Sequence, residues 1–372
     1  MNTAQHKAPI LLMAGGTGGH IFPALAVAKL LTDQGHPVVW LGSQKSMEAR
    51  RVPEAGITFY GLRVSGLRGK GKAALLLAPF RLLISLWQAV SILRSIKPAC
   101  VVGFGGFASG PGGLAAWLLR IPLFVHEQNA LPGMTNRWLS RMARRVFTAF
   151  PQAFSDLPKA LCVGNPVRAE LLQLPPPAQR YAERSDPVRL LVVGGSLGAQ
   201  SLNTSLPAAL ALLSQSMLPV SMLPQVRHQT GANKEEATRA AYAAACPDLL
   251  NRVEICSFIE DMAEAMGWAD LVICRAGALT ISELAAVGVA SLLVPFPFAV
   301  DDHQTHNAHF LADAGAAILL PQSELTPAGL AELLQSRLLQ RDSLAEMAVK
   351  AAGLARISAG EQMVQTLLKD IS

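Results

Sequence analysis

Hydrophobic residues occur along this chain in short continuous runs, each followed by a longer stretch with helical spacing. Runs of three to six mostly Val, Ile, Leu and Ala residues are typical of parallel strands that helices cover on both faces. Five such strands are predicted in each half: Ile10–Ala14, Val38–Leu41, Ala99–Val102, Leu123–Val125, Arg145–Thr148, Arg189–Val193, Val226–Gln229, Val253–Cys256, Leu271–Cys274 and Ser291–Val294. The alternation predicts an α/β fold built from βαβ units.

The pattern restarts in the middle of the chain, which indicates two domains. A glycine-rich turn follows the first strand of each half, at Gly15 and Gly194. A chain of 372 residues also exceeds the size at which a single core stops growing. We expect two doubly wound parallel sheets, with ligands in a cleft at the carboxyl ends of the strands. The proline-rich segment Val163–Pro187 predicts a linker. The predicted domains are 1–167 and 168–354, and a C-terminal helix, 355–372, is expected to return to the first.

Composition narrows the class of protein. Hydrophobic residues make up 51% and charged residues 16% of the chain, which is enough to bury a large core. The five cysteines form no C-x-x-C pair, which argues against a disulfide framework and a zinc site. No signal peptide precedes the first strand, so we expect a reducing cytoplasmic setting.

Charge is distributed unevenly. Residues 1–168 hold 19 Lys and Arg against 5 Asp and Glu, whereas the remainder holds 13 against 21. A basic half predicts a polyanionic partner, either nucleic acid or an anionic membrane surface.

The apolar stretch Ala73–Leu93 decides between these partners. Its 21 residues nearly reach membrane-spanning length, but Arg81 and Pro79 argue against spanning. An ordinary core helix stays open as an alternative. The favoured interpretation is an exposed apolar patch ringed by cations, as in peripheral proteins on anionic lipid, and it argues against nucleic acid. The patch residues are Leu75, Leu76, Leu77, Phe80 and Trp87, with Lys70, Lys72, Arg81, Arg137 and Arg141 as the cations.

Three glycine-rich turns each follow a predicted strand directly. They are G-G-T-G-G-H at Gly15–His20, G-F-G-G-F at Gly103–Phe107 and G-G-S-L-G-A at Gly194–Ala199. Glycine lets backbone N–H groups approach an anion, and a helix N-terminus adds its positive end. Three such turns predict a site for more than one phosphate group. None spells G-x-G-x-x-G, which disfavours a nicotinamide or flavin oxidoreductase.

Polar side chains gather at the same strand ends. His20 lies where a loop meets a helix, and His126–Asn129 follow the strand Leu123–Val125, with Arg168 at the start of the linker. A packing histidine and a merely solvated loop are the simpler alternatives for the first two.

The stretch C-R-A-G-A-L-T-I-S-E, Cys274–Glu283, is the most specific in the chain. A helix beginning near Gly277 can hold a diphosphate at its N-terminus, and Glu283 can accept both hydroxyls of a ribose. A solvated helix glutamate is the alternative. Farther on, Gln304 is a candidate for contacting sugar hydroxyls, and no metal site is predicted around it.

Taken in order, these motifs, with V-G-N-P-V-R and D-H-Q-T-H-N-A, resemble the MurG family over nearly the whole chain. The resemblance implies the GT-B fold, two Rossmann-like domains, and an inverting transferase that moves N-acetylglucosamine from UDP-N-acetylglucosamine. The implied acceptor is the C4 hydroxyl of N-acetylmuramic acid in lipid I, and the product is lipid II for peptidoglycan synthesis. It further implies no cofactor, a peripheral place on the cytoplasmic face of the inner membrane, roles in cell shape and division, and other cell-wall and division proteins as partners.

The resemblance also implies roles for individual residues. His20 is the favoured catalytic base and Glu127 the reserve candidate. The acceptor diphosphate is assigned to Gly15, Gly16, Gly103, Gly105 and Gly106. Donor binding is assigned to Thr17, Gly18, Gly19, Asn129, Arg168, Ser196, Ile259, Ala278, Leu279, Thr280, Ile281, Ser282, Glu283 and Gln304.

Two other functions stay open at this stage. Another GT-B transferase with a different lipid acceptor, such as diacylglycerol, would share the donor half. A non-catalytic module that binds nucleotide sugar or lipid would bind UDP without turnover. The chain departs mildly from the family pattern at Phe298–Val300, which puts the geometry of one donor loop in doubt.

Overall fold

A computed structural model of the chain describes residues 7–64, 78–185, 187–195 and 197–372. The predicted site residues Leu75, Leu76 and Ser196 therefore lie outside the described residues. The chain divides into two compact units, Met1–Arg168 with Ile357–Ser372, and Ala169–Arg356.

The N-terminal unit is a seven-stranded parallel sheet with helices on both faces. Its strands are β1 (Ile10–Ala14), β2 (Val38–Ser43), β3 (Thr58–Leu62), β4 (Cys100–Gly105), β5 (Leu123–Glu127), β6 (Arg145–Thr148) and β7 (Ala160–Cys162). Its helices are α1 (Gly18–Asp33), α2 (Glu48–Glu54), α3 (Ala78–Ile96), α4 (Ser109–Leu118) and α5 (Met134–Met142). The strand order β3-β2-β1-β4-β5-β6-β7 is that of a doubly wound sheet.

The C-terminal unit repeats this architecture with six parallel strands in the order β10-β9-β8-β11-β12-β13. They are β8 (Arg189–Val193), β9 (Gln225–Gln229), β10 (Val253–Cys256), β11 (Leu271–Cys274), β12 (Ala290–Leu293) and β13 (Ile318–Leu319). The α-helices are α6 (Pro177–Ala182), α7 (Gln200–Ser214), α8 (Glu235–Ala245), α9 (Met262–Trp268), α10 (Ala278–Val287), α11 (His303–Ala312), α12 (Pro327–Leu333) and α13 (Arg341–Gly353).

The last helix, α14 (Ala359–Ile371), packs on α1 of the N-terminal unit. Its apolar residues Met363, Val364 and Leu367 recur at helical spacing and are completely buried in the core of that unit. The Arg145 guanidinium donates to both carboxylate oxygens of Asp370, at 2.6 and 3.2 Å, and so ties α14 to strand β6.

The ten predicted strands are confirmed, five of them with the predicted bounds. Three further strands, β3, β7 and β13, were missed. Each of them lies at a sheet edge, where burial is incomplete and the apolar run is short or broken. Strand β4 was predicted to end at Val102 but continues to Gly105.

The prediction that the linker runs to Pro187 is wrong for its second half, which packs into the C-terminal unit. The chain forms a short 3₁₀ helix at Ala169–Gln173 and then α6. Arg180 is buried and donates to the carbonyl oxygens of Val287 and Gly288, so its guanidinium caps the end of α10. The prolines of this segment predicted a break in regular structure, but Pro176 and Pro177 lie at the N-terminus of α6, where proline is favoured.

Candidate active site

The first glycine-rich turn connects β1 to α1, and a backbone carbonyl group of this turn forms a hydrogen bond with the ring of His20. Nδ1 of His20 lies 3.1 Å from the carbonyl oxygen of Gly15 and 3.4 Å from Oγ1 of Thr17. Because a carbonyl oxygen can only accept, the hydrogen bond with Gly15 assigns the proton of the neutral ring to Nδ1. The lone pair of the neutral ring is then on Nε2, the atom that can take a proton from a substrate.

The second glycine-rich turn closes over the first. Gly105 and Gly106 have φ of +102° and +86°, which only glycine adopts without strain. A Cβ on Gly105 would lie 3.1 Å from Nε2 of His20, and one on Gly106 only 2.3 Å from the carbonyl oxygen of Gly15. Side chains at Gly105 and Gly106 would therefore displace His20 and the backbone of the first glycine-rich turn. The predicted turn is partly strand, because Gly103 and Gly105 both belong to β4, where they pair with Met13 and Ala14.

Glu127 ends strand β5 and is 1% exposed. Its Oε1 accepts from the backbone N–H and the side-chain amide of Asn129, at 2.9 and 3.2 Å. Its Oε2 accepts from the N–H of Gly133 and the amide of Asn136, at 3.1 and 2.9 Å. Four donors satisfy both oxygens of this buried side chain and fix the loop that carries Asn129.

His126 is a structural histidine beneath this loop. Its ring is completely buried, and Nε2 donates to the carbonyl oxygen of Gly164 at 2.9 Å while Nδ1 accepts from Gln128. Burial lowers the pKa of His126 to about 4, so the ring is neutral at pH 7. The Asn165 side-chain amide donates to the carbonyl oxygen of Gln128, which joins the V-G-N-P-V-R segment to the same loop.

Arg168 ends the contiguous part of the N-terminal unit. Its guanidinium lies 5.8 Å from the ring centre of Phe22, on the helix that follows the first glycine-rich turn. The N-terminal unit therefore carries four of the predicted site residues, His20, Glu127, Asn129 and Arg168. Hydrogen bonds join Glu127 to Asn129, whereas those of His20 described above are to its own turn.

Sequence reasoning missed Glu48 in this unit. It is completely buried at the start of α2, and its Oε2 accepts from the N–H of Gly16 at 3.2 Å. One amide of the predicted diphosphate loop is thus occupied by a carboxylate.

In the C-terminal unit the turn Gly194–Ala199 follows β8, and the side chain of Gln229 holds it. The Gly195 N–H donates to Oε1 of Gln229 at 3.1 Å, and Nε2 donates back to the Gly195 carbonyl oxygen at 2.9 Å. The same Nε2 donates to the carbonyl oxygen of Ser257 at 3.0 Å, two residues before Ile259. Gln229 was also missed, because a glutamine that ends a strand has no signature of its own.

The specific motif lies where it was predicted, with Cys274 ending β11 and α10 beginning at Ala278 after the N-cap Gly277. This helix has ten residues, and the backbone N–H groups of its first turn have no acceptor within the helix. No acidic side chain lies in that turn, so these N–H groups can bind an anion. Glu283 is 4% exposed and therefore not a solvated helix residue. Burial, aided by the nearby Glu283, raises the pKa of the Cys274 thiol to about 12.

The side chains of Arg275 and Gln304 both form hydrogen bonds with the backbone that follows strand β12. Arg275 donates to the carbonyl oxygens of Val294 and Pro295, and also to side chains of Ser201 and Gln322. Gln304 accepts from the N–H of Phe296 through Oε1 at 2.9 Å, so its amide nitrogen is the group that can donate to a sugar.

Helices α3, α4 and α5 form a layer on one face of the N-terminal sheet, and several large apolar side chains are exposed on their outer surface. On α3, Phe80, Leu83, Ile84 and Trp87 recur at helical spacing and are 53–72% exposed. Trp117 and Trp138 are exposed on the other two helices, the latter with Arg141 against its ring at 4.8 Å. In the described ranges, no helix is both long and apolar enough to cross a membrane.

Comparison with known families matches both units. The glycosyltransferase family 28 N-terminal domain matches residues 10–148, and the family 28 C-terminal domain matches residues 189–363.

Individual relatives match over nearly the full length. A protein from Marinobacter nauticus is 54% identical over 99% of this chain and 99% of its own length. One from Chromohalobacter salexigens is 54% identical over 95% of both. Each carries the name UDP-N-acetylglucosamine--N-acetylmuramyl-(pentapeptide) pyrophosphoryl-undecaprenol N-acetylglucosamine transferase.

A solved structure agrees with these relatives. The crystal structure of MurG from Acinetobacter baumannii is 44% identical, covers 97% of this chain and 99% of its own, and superposes with a TM-score of 0.81. Because both family 28 domains match and a relative is 54% identical over 99% of this chain, the chain belongs to glycosyltransferase family 28 and has the two-domain GT-B fold.

Proposed function

We propose that this protein transfers N-acetylglucosamine from UDP-N-acetylglucosamine to the C4 hydroxyl of N-acetylmuramic acid in lipid I, forming lipid II for peptidoglycan synthesis. The observation that carries the proposal is the 54% identity, over 99% of both chains, to a transferase of that name. The glycine-rich turns at strand ends in both units support the proposal, because their backbone N–H groups can bind the phosphates of such substrates.

The reaction is a single displacement with inversion at C1 of the transferred sugar. The acceptor O4 forms a bond to C1, the bond from C1 to the phosphate oxygen breaks, and UDP leaves with that electron pair. The proton of the acceptor hydroxyl goes to Nε2 of His20, the basic nitrogen when Nδ1 donates to Gly15. Glu127 is less suited to this step, because donors occupy both of its oxygens.

The donor is bound mainly by the C-terminal unit. The N–H groups of Ala278, Leu279 and Thr280, in the first turn of α10, stabilise the departing diphosphate without a metal ion. Glu283 binds the ribose, and Ile259 contacts the uracil through its backbone. Ile281 and Ser282 complete the segment, and Ser196 belongs to the same proposed donor set.

The N-terminal unit contributes the remaining contacts. Asn129, held by Glu127, and Arg168 address the donor sugar and phosphates, with Thr17, Gly18 and Gly19 at the start of α1. The acceptor diphosphate lies against the two glycine-rich turns. Because the N–H of Gly16 is already donated to Glu48, we assign this binding mainly to the other backbone N–H groups of these turns.

We propose that the enzyme is a peripheral protein on the cytoplasmic face of the inner membrane, and the exposed apolar side chains of α3, α4 and α5 support this proposal. Several aromatic and aliphatic side chains on one outer surface, with arginines beside them, match the chemistry of an anionic lipid interface. This surface also brings the enzyme to a substrate that is anchored in lipid. Contacts with other cell-wall and division proteins are part of the same proposal.

The test is transfer of radiolabel from UDP-N-acetylglucosamine to a short-chain lipid I analogue. H20A should lower kcat by about 100- to 10,000-fold while UDP binding stays at the wild-type level. E283Q should raise the KM for the donor instead. H309A, at an exposed histidine of α11, is the matched control and should behave as wild type. UDP binding without any transfer to the lipid I analogue would refute the proposed acceptor.

A further inference from the structure

Glu48 is a buried carboxylate at the start of α2, and its side chain has no exposed surface. Taking a carboxylate out of water is costly unless hydrogen bonds or a cation compensate it. Glu48 contacts the turn that also holds His20, the proposed base, so its burial bears on the active site.

Its compensation comes from backbone N–H groups. Oε1 accepts from the N–H of Ser43 at 2.9 Å, and Oε2 accepts from the N–H of Gly16 at 3.2 Å. Within the described part of the chain, no Lys, Arg or His side chain forms an ion pair with it. The two oxygens are therefore directed at the end of β2 and at the first glycine-rich turn.

The carboxylate also packs against Gly15. A Cβ on this glycine would lie 2.4 Å from Oε1 of Glu48, so the Gly15 peptide rests directly on the carboxylate. A Cβ on Gly106 would lie 2.3 Å from the Gly15 carbonyl oxygen. Gly15 is thus closely approached by both Glu48 and Gly106, and its carbonyl oxygen is the atom that accepts from Nδ1 of His20.

We propose that Glu48 is a positioning residue for the transfer reaction, acting on His20 through the Gly15–Gly16 backbone. The carboxylate fixes the peptide whose carbonyl oxygen keeps the proton of His20 on Nδ1 and the lone pair on Nε2. This inference rests on the proposed role of His20 as the base. It assigns to Glu48 no contact with either substrate.

The direct test changes one acceptor. E48Q keeps the length of the side chain but replaces one oxygen with an NH₂ group, which cannot accept from a backbone N–H. We expect kcat to fall by about 10- to 100-fold, since small displacements of a catalytic group have effects of this size. The KM for UDP-N-acetylglucosamine should stay within about twofold of wild type, because the donor is bound mainly by the other unit.

A spectroscopic measurement separates positioning from loss of stability. In protein labelled with ¹⁵N-histidine, the His20 signals are assigned by their absence from H20A. The wild-type ring should show a protonated Nδ1 and an unprotonated Nε2, and E48Q should show a mixture of both tautomers. If E48Q does not fold, E48D takes its place, because it keeps both oxygens one methylene farther from the turn.

Two variants serve as controls. E54Q changes an exposed glutamate at the end of the same helix and should keep the wild-type kcat. D370N breaks the ion pair between α14 and β6, so it destabilises the same unit at a distance from the turn. It should lower the melting temperature without altering the tautomer of His20.

The outcomes are distinct. Wild-type kcat in E48Q, or an unchanged His20 tautomer, overturns the inference. So does a loss of kcat that D370N reproduces at the same loss of melting temperature. If H20A itself keeps wild-type activity, the proposed base is wrong, whatever Glu48 does. A large loss in H20A with none in E48Q removes only the role of Glu48.

Discussion

Gln229 joins two loops of the proposed donor site, and its removal should weaken nucleotide binding. The side chain is 2% exposed and forms three hydrogen bonds, two with Gly195 and one with the carbonyl oxygen of Ser257. In Q229A these backbone groups lose their partner, and the turn after β8 is no longer fixed against the segment that contains Ile259.

The size of the effect follows from these contacts. A buried hydrogen bond contributes about 1 kcal/mol net, so the C-terminal unit should lose about 2 to 4 kcal/mol of stability. If the Gly195 peptide becomes mobile, nucleotide binding must order it again, at about 1 to 2 kcal/mol for one residue. That cost corresponds to a dissociation constant for UDP about 5- to 30-fold above wild type.

Isothermal titration calorimetry with UDP measures the affinity, and urea unfolding measures the stability. Gln225 provides the matched control, because it is the same residue type at the other, exposed end of strand β9. Q225A should retain wild-type affinity and stability. If Q229A binds UDP as tightly as Q225A, the turn does not depend on Gln229 for binding, and the reasoning is refuted.

Three further predictions concern stability and surface. D370N should lower the free energy of unfolding at pH 7 by about 1 to 2 kcal/mol, because the pair is bidentate but the Arg145 side chain is one-third exposed. The Arg145 hydrogen bonds lower the pKa of Asp370, so the wild-type advantage, measured by urea unfolding, should be present above pH 4 and disappear as the pH falls below the folded-state pKa. Y181F should cost about 1 to 3 kcal/mol in the same assay, since the buried hydroxyl of Tyr181 accepts from the Ala290 N–H and donates to the carbonyl oxygen of Asp270, directly before β11. Wild-type stability in Y181F would contradict the role of Tyr181 in fixing α6. Trp87→Ser should weaken sedimentation with anionic lipid vesicles by about tenfold without changing UDP affinity, and unchanged sedimentation would speak against the proposed membrane surface.

The sequence by itself determined the architecture and the location of most candidate site residues. Continuous apolar runs report burial on both faces of a strand, so they located ten of the thirteen strands in the described part of the chain. Glycine and polar residues directly after those runs located the turns at the strand ends, including Gly15–His20 and Cys274–Glu283. These features are local, because a strand, its end and the following helix start are adjacent in the chain.

Tertiary structure decided which distant residues hold those turns in place. Glu48 contacts Gly16, 32 residues earlier, because β2 pairs with β1 and the helix after β2 therefore begins beside the turn after β1. Gln229 contacts Gly195 for the same reason, since β9 pairs with β8. A polar side chain that contacts the backbone of a neighbouring strand leaves no periodic signal in its own segment. Only the order of strands in the sheet, set by the packing of the whole domain, brings the two together.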